Sequence, residues 1–296
     1  MNYTLHQLQV FLEVVRQQSI TKASEEMHMT QPALSIQLKN FQQQFDFPLT
    51  ERVGRRLYVT EFGYSIANLA ENVLREADAI RYKTKEYEGL FTGKLRISSA
   101  STGKYVIPYF LSGFLEQHQG VDLVLDVTNK TRVISSLKNN EIDFALVSVV
   151  PEKIEVEDEV LLENRLYMVS KESRFDEKKP LIYREQGSAT RAVMEEYFSR
   201  SKERKRTELT SNEAVKQALI AGLGTSIIPL IGIRNELQSE QLQIIPSKGL
   251  PISTTWRLIW LRDKKLSPVA SAYLEYLRMN KDAIIETNFQ WYLNFQ

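Results

Sequence analysis

The sequence of 296 residues contains no cysteine. Without thiols the chain can form neither a disulfide framework nor a thiolate metal site, and a cysteine nucleophile is excluded. Histidine is nearly as scarce, because His6, His28 and His118 are the complete set. These three are far apart in the sequence and show no metal-ligand spacing, so we expect no metal site.

Glycine and proline are infrequent, at 12 and 9 residues, whereas hydrophobic residues make up 43% of the chain. This composition excludes collagen-like and low-complexity chains and is typical of a globular protein. No stretch approaches the ~18 consecutive apolar residues that a membrane-spanning helix needs. The N-terminus, MNYTLHQLQVFLEVV, lacks the basic start and apolar run of a signal peptide. We therefore expect a cytoplasmic protein with no membrane partner.

The chain also lacks an excess of either charge, with 38 Lys and Arg against 37 Asp and Glu. Residues 1–91 are slightly acidic, at 10 Lys and Arg against 11 Asp and Glu. Gross charge therefore gives no indication of nucleic acid, and any such interpretation depends on local placement. The sequence contains no GxSxG, HExxH or Walker motif. We expect no enzymatic activity and no cofactor.

The N-terminal segment predicts three short helices. Apolar residues recur at helical spacing from Leu5 to Val15, and Ser19 is placed to cap a second helix, Ile20 to Met27. Thr30 is placed to cap a third helix that begins Gln31-Pro32, because proline is favoured in the first turn. Two residues separate the second helix from Thr30. Helices joined by so tight a turn are typical of a helix-turn-helix.

The third helix is predicted to have one face toward a core and one face outward. The first is predicted to consist of Ala33, Leu34, Leu38 and Phe41, and the second of Gln31, Ser35, Ile36, Gln37 and Lys39. Small polar side chains can enter the major groove and bond base edges or phosphates. The ordinary alternative is that such a helix corner only packs into a core.

The segment RVGRRLYVT, residues 52–60, predicts two short strands around Gly54-Arg55. Arg52, Arg55 and Arg56 concentrate positive charge there, as a wing against the DNA backbone requires. Taken alone, the same arginines also fit a solvated hairpin.

Residues 19–63 resemble the winged helix-turn-helix of LysR-type transcriptional regulators. The match is carried by Ser19, Thr21, Ala23, Thr30, Gln31, Pro32, Ala33, Leu34, Ser35, Gln37 and Leu38. The resemblance implies a DNA-binding domain over residues 1–60. It implies that Gln31, Pro32 and Ser35 approach the bases. It places Thr30, Gln37, Arg52 and Arg55 or Arg56 near the backbone, and we add Lys39 to the DNA-binding residues.

Residues 61–91 predict one long helix. A stripe at steps of seven is formed by Ile66, Val73, Ile80 and Tyr87, with Phe62, Leu69 and Ala77 filling it. A seven-residue repeat favours a partner helix, although the stripe could also pack on the chain's own domains. The resemblance implies a linker through which homodimers form, with pairing into homotetramers. A twofold dimer presents two recognition helices to double-stranded promoter DNA.

Residues 92–296 alternate between strand and helix patterns. The strand candidates are 94–99, 122–128, 142–148, 166–170, 181–183, 225–228 and 256–261, and the helix candidates are 104–118, 132–139, 189–199, 213–221 and 267–277. This order favours an α/β fold with parallel sheets. The resemblance implies an effector-binding domain with two lobes like those of periplasmic solute-binding proteins. Lobe 1 is expected at about 93–165 plus 267–296 and lobe 2 at about 166–266, with crossings near 165–169 and 262–267.

Ligands of open α/β sheets bind beyond the carboxyl ends of the strands, which here is the cleft between the lobes. Hydroxyls, amides and one arginine at such positions suit an anion. The candidate effector residues are Ser99, Ser101, Thr102, Gly103, Thr128, Asn129, Ser148, Arg191 and Thr225. Each serine or threonine taken singly is more often an ordinary helix cap.

The runs TGKYVIP at 102–108, NEIDFALV at 140–147 and GSATR at 187–191 are similar to regulators of the RuBisCO-operon type, which sense phosphorylated or nucleotide metabolites. The resemblance implies that a small anionic metabolite modulates promoter binding and the recruitment of RNA polymerase. The alternative is a solute-binding or sensor protein with no DNA-binding role. Such a protein has no need of residues 1–89.

Overall fold

The computed structural model describes residues 2–54, 56–87, 91–199 and 204–295; for 81–87 it describes the backbone only. The chain divides into two compact units, with the boundary between Phe91 and Thr92. None of the helices in this described part combines the length and the apolar character needed to span a membrane.

The first unit contains three short helices, a hairpin and a long helix. These are α1 (Leu5–Gln17), α2 (Ile20–Glu26), α3 (Gln31–Gln42), β1 (Thr50–Val53), β2 (Arg56–Val59) and α4 (Glu61–Tyr87). The predicted caps are confirmed, because the hydroxyls of Ser19 and Thr30 accept hydrogen bonds from the amides of Lys22 and Ala33, each at 3.4 Å. A β-hairpin therefore follows a helix-turn-helix.

The core of the first unit holds α3 at a fixed orientation. Leu34, Leu38 and Phe41 are buried with residues of α1, as the apolar face predicts, whereas Ala33 is only half-buried. The rings of Phe11 and Phe41 lie 5.2 Å apart between centroids. Because one face of α3 is anchored in this way, the opposite face is presented to solvent.

One part of the predicted stripe on α4 packs against the core, and the other part is exposed. Phe62 and Ile66 pack against the core of the first unit, where Ala67 and Ala70 are buried. Leu69 and Val73 are exposed, at 60% and 44%, and so is Ile80. The side chain of Tyr87 lies outside the described residues. The core of the first unit therefore buries only one part of the stripe.

The second unit is an α/β domain. Its strands are β3 (Thr92–Ala100), β4 (Gly120–Thr128), β5 (Phe144–Val147), β6 (Val156–Ser170), β7 (Leu181–Arg184), β8 (Arg206–Leu209), β9 (Ser226–Pro229), β10 (Gln243–Ile244) and β11 (Ile252–Leu261). Its helices are α5 (Ile107–Gln117), α6 (Lys130–Lys138), α7 (Ala189–Tyr197), α8 (Asn212–Ile220), α9 (Arg234–Gln238), α10 (Pro268–Asn288) and α11 (Gln290–Leu293), with 3₁₀ turns at Ser101–Tyr105 and Leu230–Gly232.

Two long antiparallel strands, β6 and β11, connect two lobes. Lobe 1 is built on the parallel strands β3, β4 and β5, and lobe 2 on β9 and the parallel pair β7 and β8. The sheet is therefore mixed, and the expectation of purely parallel sheets is corrected. Strand β6 is 15 residues long, so it runs through both lobes, as does its partner β11.

The return of the chain to lobe 1 lies earlier than expected. Residues 257–259 already pair with β5 in lobe 1, while Ile252 pairs with Leu166, where β6 also pairs with β9 of lobe 2. The crossing is therefore inside β11 and not at 262–267. The sequence pattern showed an apolar segment at 256–261 but not residues 252–255, which pair with β6.

The aromatic C-terminal tail packs on the second unit. Helix α10 extends beyond the predicted end to Asn288, and Tyr292 in α11 is fully buried. The Tyr292 hydroxyl accepts a hydrogen bond from the Arg165 amide at 2.7 Å. The Arg234 guanidinium lies 4.8 Å from the centre of the Trp291 ring. The tail thus reaches from lobe 1 to the crossing strand and to α9 in lobe 2.

Candidate functional site

The polar face of α3 is accessible in the first unit. Gln31 and Pro32 are exposed at the start of the helix, and Ser35 and Gln37 are half-buried one turn further on. Thr30, the cap, and Lys39 are also exposed. The first helical turn therefore offers slim polar side chains and free backbone amides, which together suit a groove of DNA and its phosphates.

The hairpin adds positive charge beside this face. Arg52 and Arg56 are exposed on β1 and β2, and Arg55 lies outside the described residues. Ser35, Lys39 and Arg52 line the same open groove between α3 and the hairpin. Gly54 has φ +63°, a left-handed conformation that glycine adopts without strain, so the turn between the two strands is tight. The structure thus joins the two sequence motifs on one surface.

A cavity lies between the two lobes of the second unit. The N-termini of three helices lie at this cavity. The lining residues at these N-termini are Asn129 and Lys130 of α6, Ser188 and Thr190 of α7, and Asn212 of α8. Its other lining residues are Ala100, Ser101, Thr102, Ser148, Val149, Asn164, Leu166, Arg184, Ala189, Val193 and Thr254. Helix N-termini carry partial positive charge and unpaired amides, so this cavity suits an anion.

Arg184, at the end of β7, is the buried cation of the cavity. Its side chain is 3% exposed. Its Nε and Nη2 donate to the Glu185 carboxylate at 2.7 and 2.8 Å, and Nη2 also donates to the Ser101 hydroxyl at 3.2 Å. Asn212 Oδ1 accepts from Nη1. These contacts fix the guanidinium in one orientation and link both lobes through Ser101.

Lys130 brings a second positive charge to the lining. Burial lowers the pKa of its ammonium group, and the Glu152 carboxylate opposes that effect only in part. A partly desolvated ammonium group gains from a nearby negative charge. The electrostatics of the lining therefore favour an anion at this place.

Four of the nine predicted effector residues line this cavity: Ser101, Thr102, Asn129 and Ser148. Three others lie just behind it in lobe 1. The hydroxyl of the buried Ser99 donates to the Ala100 carbonyl at 3.0 Å, and the Thr128 carbonyl accepts from Ser101 at 2.9 Å. Gly103 packs so closely that a Cβ there would lie 2.2 Å from Ser99 Oγ. These three shape the wall without facing the cavity.

The two remaining predictions, Arg191 and Thr225, are corrected by their positions. Arg191 is the third residue of α7 and is not among the described residues that line the cavity; its Nη1 donates to the Arg184 carbonyl at 3.0 Å. Its Nε donates to Glu195 at 2.8 Å and its Nη1 to Glu208 on β8. The backbone of the buried Thr225 pairs with Pro180 and Ile182. Both residues therefore stabilise lobe 2 and do not line the cavity.

Sequence reasoning missed several lining residues. Arg184 directly follows the predicted strand at 181–183. The strand-end rule, by which ligand-binding residues follow the carboxyl ends of strands, would have included Arg184 if it were extended by one residue. Asn212 opens α8 after β8, a strand that the pattern did not indicate. Asn164 and Thr254 lie inside the crossing strands, where the strand-end rule does not apply.

Glu213 on α8 connects the lobes at the rim of the cavity. The hydroxyl of Tyr105 donates to its carboxylate, and Lys104 Nζ lies 3.0 Å from Oε1. Lys216 Nζ lies 3.0 Å from Oε2. Partial burial raises the pKa of Glu213, but the hydrogen bonds from Tyr105, Lys104 and Lys216 outweigh it and lower the pKa to about 2. Burial and the same carboxylate raise the pKa of Tyr105.

We predict that the unfolding free energy of Glu213→Gln depends less on pH in the acid range than that of the unmodified protein. The folded-state pKa of Glu213 lies below its ordinary value of 4.5, so the ionised group stabilises the fold above that value. This contribution is lost as the pH falls from about 4.5 toward about 2. Because the group is largely solvated, the expected change in unfolding free energy is about 1 kcal/mol or less.

Urea unfolding at pH 5 and pH 3 measures this effect. The difference between the two unfolding free energies should be smaller in Glu213→Gln than in the unmodified protein. Glu275→Gln, on an exposed position of α10, serves as the control. An unchanged pH difference in Glu213→Gln would show that the inter-lobe contact contributes nothing to folding.

Two family models match the chain. Residues 5–64 match the helix-turn-helix model of bacterial regulatory proteins of the lysR family, and residues 88–281 match the LysR substrate binding domain. The HTH-type transcriptional activator CmpR of Synechocystis sp. is 35% identical over 96% of this chain and 97% of its own length. A RuBisCO operon transcriptional regulator of Allochromatium vinosum is 34% identical over 94% and 96%.

Solved structures show the same fold. The regulatory domain of Synechocystis PCC6803 CcmR in complex with 2-PG is 30% identical, with a TM-score of 0.59, and covers 64% of this chain and 98% of that domain. Full-length CbnR complexed with its target DNA is 19% identical, with a TM-score of 0.62, over 93% and 99%. The predicted fold class, with an N-terminal helix-turn-helix, a long helix and a two-lobed α/β domain, is thereby confirmed.

Proposed function

Because the chain belongs to the LysR family of DNA-binding transcriptional regulators, which are not enzymes, we propose that a small anionic metabolite in the inter-lobe cavity modulates its binding to promoter DNA. One observation carries the proposal: α6, α7 and α8 begin at a single cavity that also contains the buried Arg184. A neutral ligand gains nothing from this convergence of positive potential, whereas an anion does.

The chemical class of the effector follows from the same lining. Hydroxyls, backbone amides and a guanidinium bind phosphate and carboxylate oxygens well. The similarity to the CcmR regulatory domain, whose structure contains 2-PG, supports an effector of that kind.

The DNA-binding surface that we propose consists of the start of α3 and the hairpin. Gln31, Pro32 and Ser35 face base edges. Phosphates are contacted by Thr30, Gln37, Lys39, Arg52 and one of Arg55 and Arg56. The LysR helix-turn-helix match over residues 5–64 argues against the alternative of a solute-binding protein without a DNA-binding role. We place this function in the cytoplasm, where the promoter DNA is.

A thermal-shift titration tests the effector proposal. A ligand at 100 times its Kd stabilises the native state by about 2.7 kcal/mol, which raises the melting temperature of a domain of this size by roughly 5–10 °C. We expect such a shift with 2-PG or inorganic phosphate and none with an equal concentration of chloride. If no phosphate-containing compound stabilises the protein, the effector proposal is wrong.

We further propose that α4 forms a homodimer through its exposed apolar residues. Leu69 and Val73 lie one turn apart on α4 and are both exposed. We predict that Leu69→Asp weakens the dimer at least tenfold, because a buried unpaired carboxylate opposes association. Sedimentation equilibrium measures the dissociation constant. Asn68→Asp, a neighbouring exposed position on α4, should leave the constant unchanged. Equal constants for both variants would place the interface elsewhere.

The effector acts by favouring one arrangement of the assembled protein. A ligand shifts such an equilibrium only through different affinities for the two states, and a coupling of about 1–3 kcal/mol suffices. Tyr105, Lys104 and Glu213 connect the lobes next to the cavity, so ligand binding and lobe position are linked there. In our proposal the change in lobe position is passed on to paired dimers, to DNA bending and to the recruitment of RNA polymerase.

A further inference from the structure

Asn164 in the cavity has a side-chain atom without a hydrogen-bond partner among the described residues. Asn164 lies on the crossing strand β6 and is 2% exposed. Its Nδ2 donates to the Thr254 hydroxyl on β11 at 2.9 Å. Its Oδ1 is buried and accepts no hydrogen bond from any described residue. Asn164 is among the residues that line the cavity between the lobes.

An unpaired buried carbonyl oxygen is costly, and natural proteins seldom retain one without a reason. Most of the cavity lining supplies donors: the helix amides, the Arg184 guanidinium and the Lys130 ammonium group. Asn164 Oδ1 is different because it can only accept. A pure oxyanion would face it oxygen to oxygen, which is unfavourable. The lining is therefore complementary to a molecule with an anionic group and also a hydrogen-bond donor.

A second asparagine, Asn212, marks the side of the cavity that suits the anionic group of a ligand. Asn212 Oδ1 accepts from the Arg184 guanidinium, which can only donate, so the orientation of this amide is fixed. Its Nδ2 has no partner among the described residues and lies in the same lining. One asparagine thus presents a free donor and the other a free acceptor.

We propose that Asn164 Oδ1 accepts a hydrogen bond from a hydroxyl group of the effector, so that the effector is a hydroxylated anion such as a polyol monophosphate. A hydroxyl is favoured over an ammonium donor, because Arg184 and Lys130 would repel a second cation in this small space. This inference depends on the proposed anionic effector and specifies its chemistry. Asn164 is then the residue that distinguishes hydroxylated anions from simple ones.

Paired ligands test the proposal on the full-length protein. We choose sn-glycerol 3-phosphate and n-propyl phosphate, which share the phosphate and the carbon chain but differ in the hydroxyls. Isothermal titration calorimetry should show at least tenfold tighter binding of the hydroxylated compound, because its analogue leaves Asn164 Oδ1 unpaired. A ratio near one in the unmodified protein would overturn the inference.

Two variants of Asn164 separate its role from packing. In Asn164→Leu, which has a similar volume and no acceptor, we expect the ratio to fall to within two- to threefold. In Asn164→Asp, which keeps an acceptor, the ratio should persist although both phosphates bind more weakly. If the ratio persists in Asn164→Leu, Asn164 is not the acceptor. Should that variant fail to fold, Thr254→Val, which removes the hydroxyl that orients the amide, is expected to lower the ratio as well.

The same data show whether the hydroxyl assignment alone fails or the proposed function fails with it. If both compounds and inorganic phosphate bind equally well, the anion site stands and the hydroxyl assignment fails. If none of them binds and none raises the melting temperature, the anionic effector itself is wrong, and the inference falls with it.

Discussion

Replacing Arg184 by methionine should reduce the affinity for an anionic effector at least 100-fold. The guanidinium is 3% exposed and donates to Glu185, Asn212 and Ser101, so it cannot be replaced by a neighbouring cation. Removing one partner of a buried, hydrogen-bonded charge pair typically costs about 2–5 kcal/mol. Without the guanidinium, the Glu185 carboxylate also remains unpaired beside the cavity and repels an anionic ligand. Calorimetry with 2-PG, at equal protein concentration, measures the loss.

The chain supplies a matched control in Arg191→Met. Arg191 is seven residues further on and also bonds two carboxylates, Glu195 and Glu208, but it lies outside the cavity. We expect this variant to lose a little stability and to bind effector normally. Promoter binding without effector should be unchanged in both variants, which shows that the first unit is intact. If Arg191→Met loses the response and Arg184→Met keeps it, the ligand does not occupy this cavity.

The double variant Arg184→Met with Glu185→Gln separates two causes of the expected loss. If the orphaned carboxylate is the main obstacle, the second change should restore part of the affinity. If the guanidinium itself binds the anion, affinity stays low. Arg184→Lys keeps the positive charge but loses the planar fork, and we expect an intermediate affinity.

Local sequence patterns predicted the helix-turn-helix well because its determinants are local. Ser19 and Thr30 are caps that bond amides three residues ahead, and Leu34 and Leu38 follow from helical spacing. The strand-end rule also placed Ser101, Thr102, Asn129 and Ser148 in the cavity, since parallel strands end at the same edge of a sheet.

The remaining part of the cavity depends on pairing between distant segments. Asn164 and Thr254 are 90 residues apart and meet through the register of β6 and β11, which no local pattern specifies. The segment at 187–191, which opens a helix, predicts Arg191 as the cation of the site. Glu208, the partner of Arg191, lies on β8, a strand that the sequence did not indicate, so this contact could not be foreseen.

Promoter recognition should depend most strongly on the first two turns of α3. We predict that Gln31→Ala combined with Ser35→Ala lowers specific binding at least about 30-fold relative to nonspecific binding, because each of the two lost base contacts costs about 1–3 kcal/mol of discrimination. Gln31 is exposed and Ser35 is half-buried, and neither is a buried core residue. The fold should therefore tolerate both changes. Fluorescence anisotropy with a promoter fragment and a scrambled duplex of equal length measures the ratio.

Arg52→Ala on the hairpin is the matched control for this variant. An exposed arginine that contacts phosphate contributes equally to every sequence, so its loss should weaken both duplexes by the same factor. It should also reduce the slope of log affinity against log salt concentration by about one, whereas the α3 variant should leave that slope unchanged. A changed specificity ratio in Arg52→Ala with an unchanged ratio in the α3 variant would reverse the assignment and make the hairpin the element that reads sequence. The two measurements together therefore decide which face of the first unit carries specificity and which carries affinity alone.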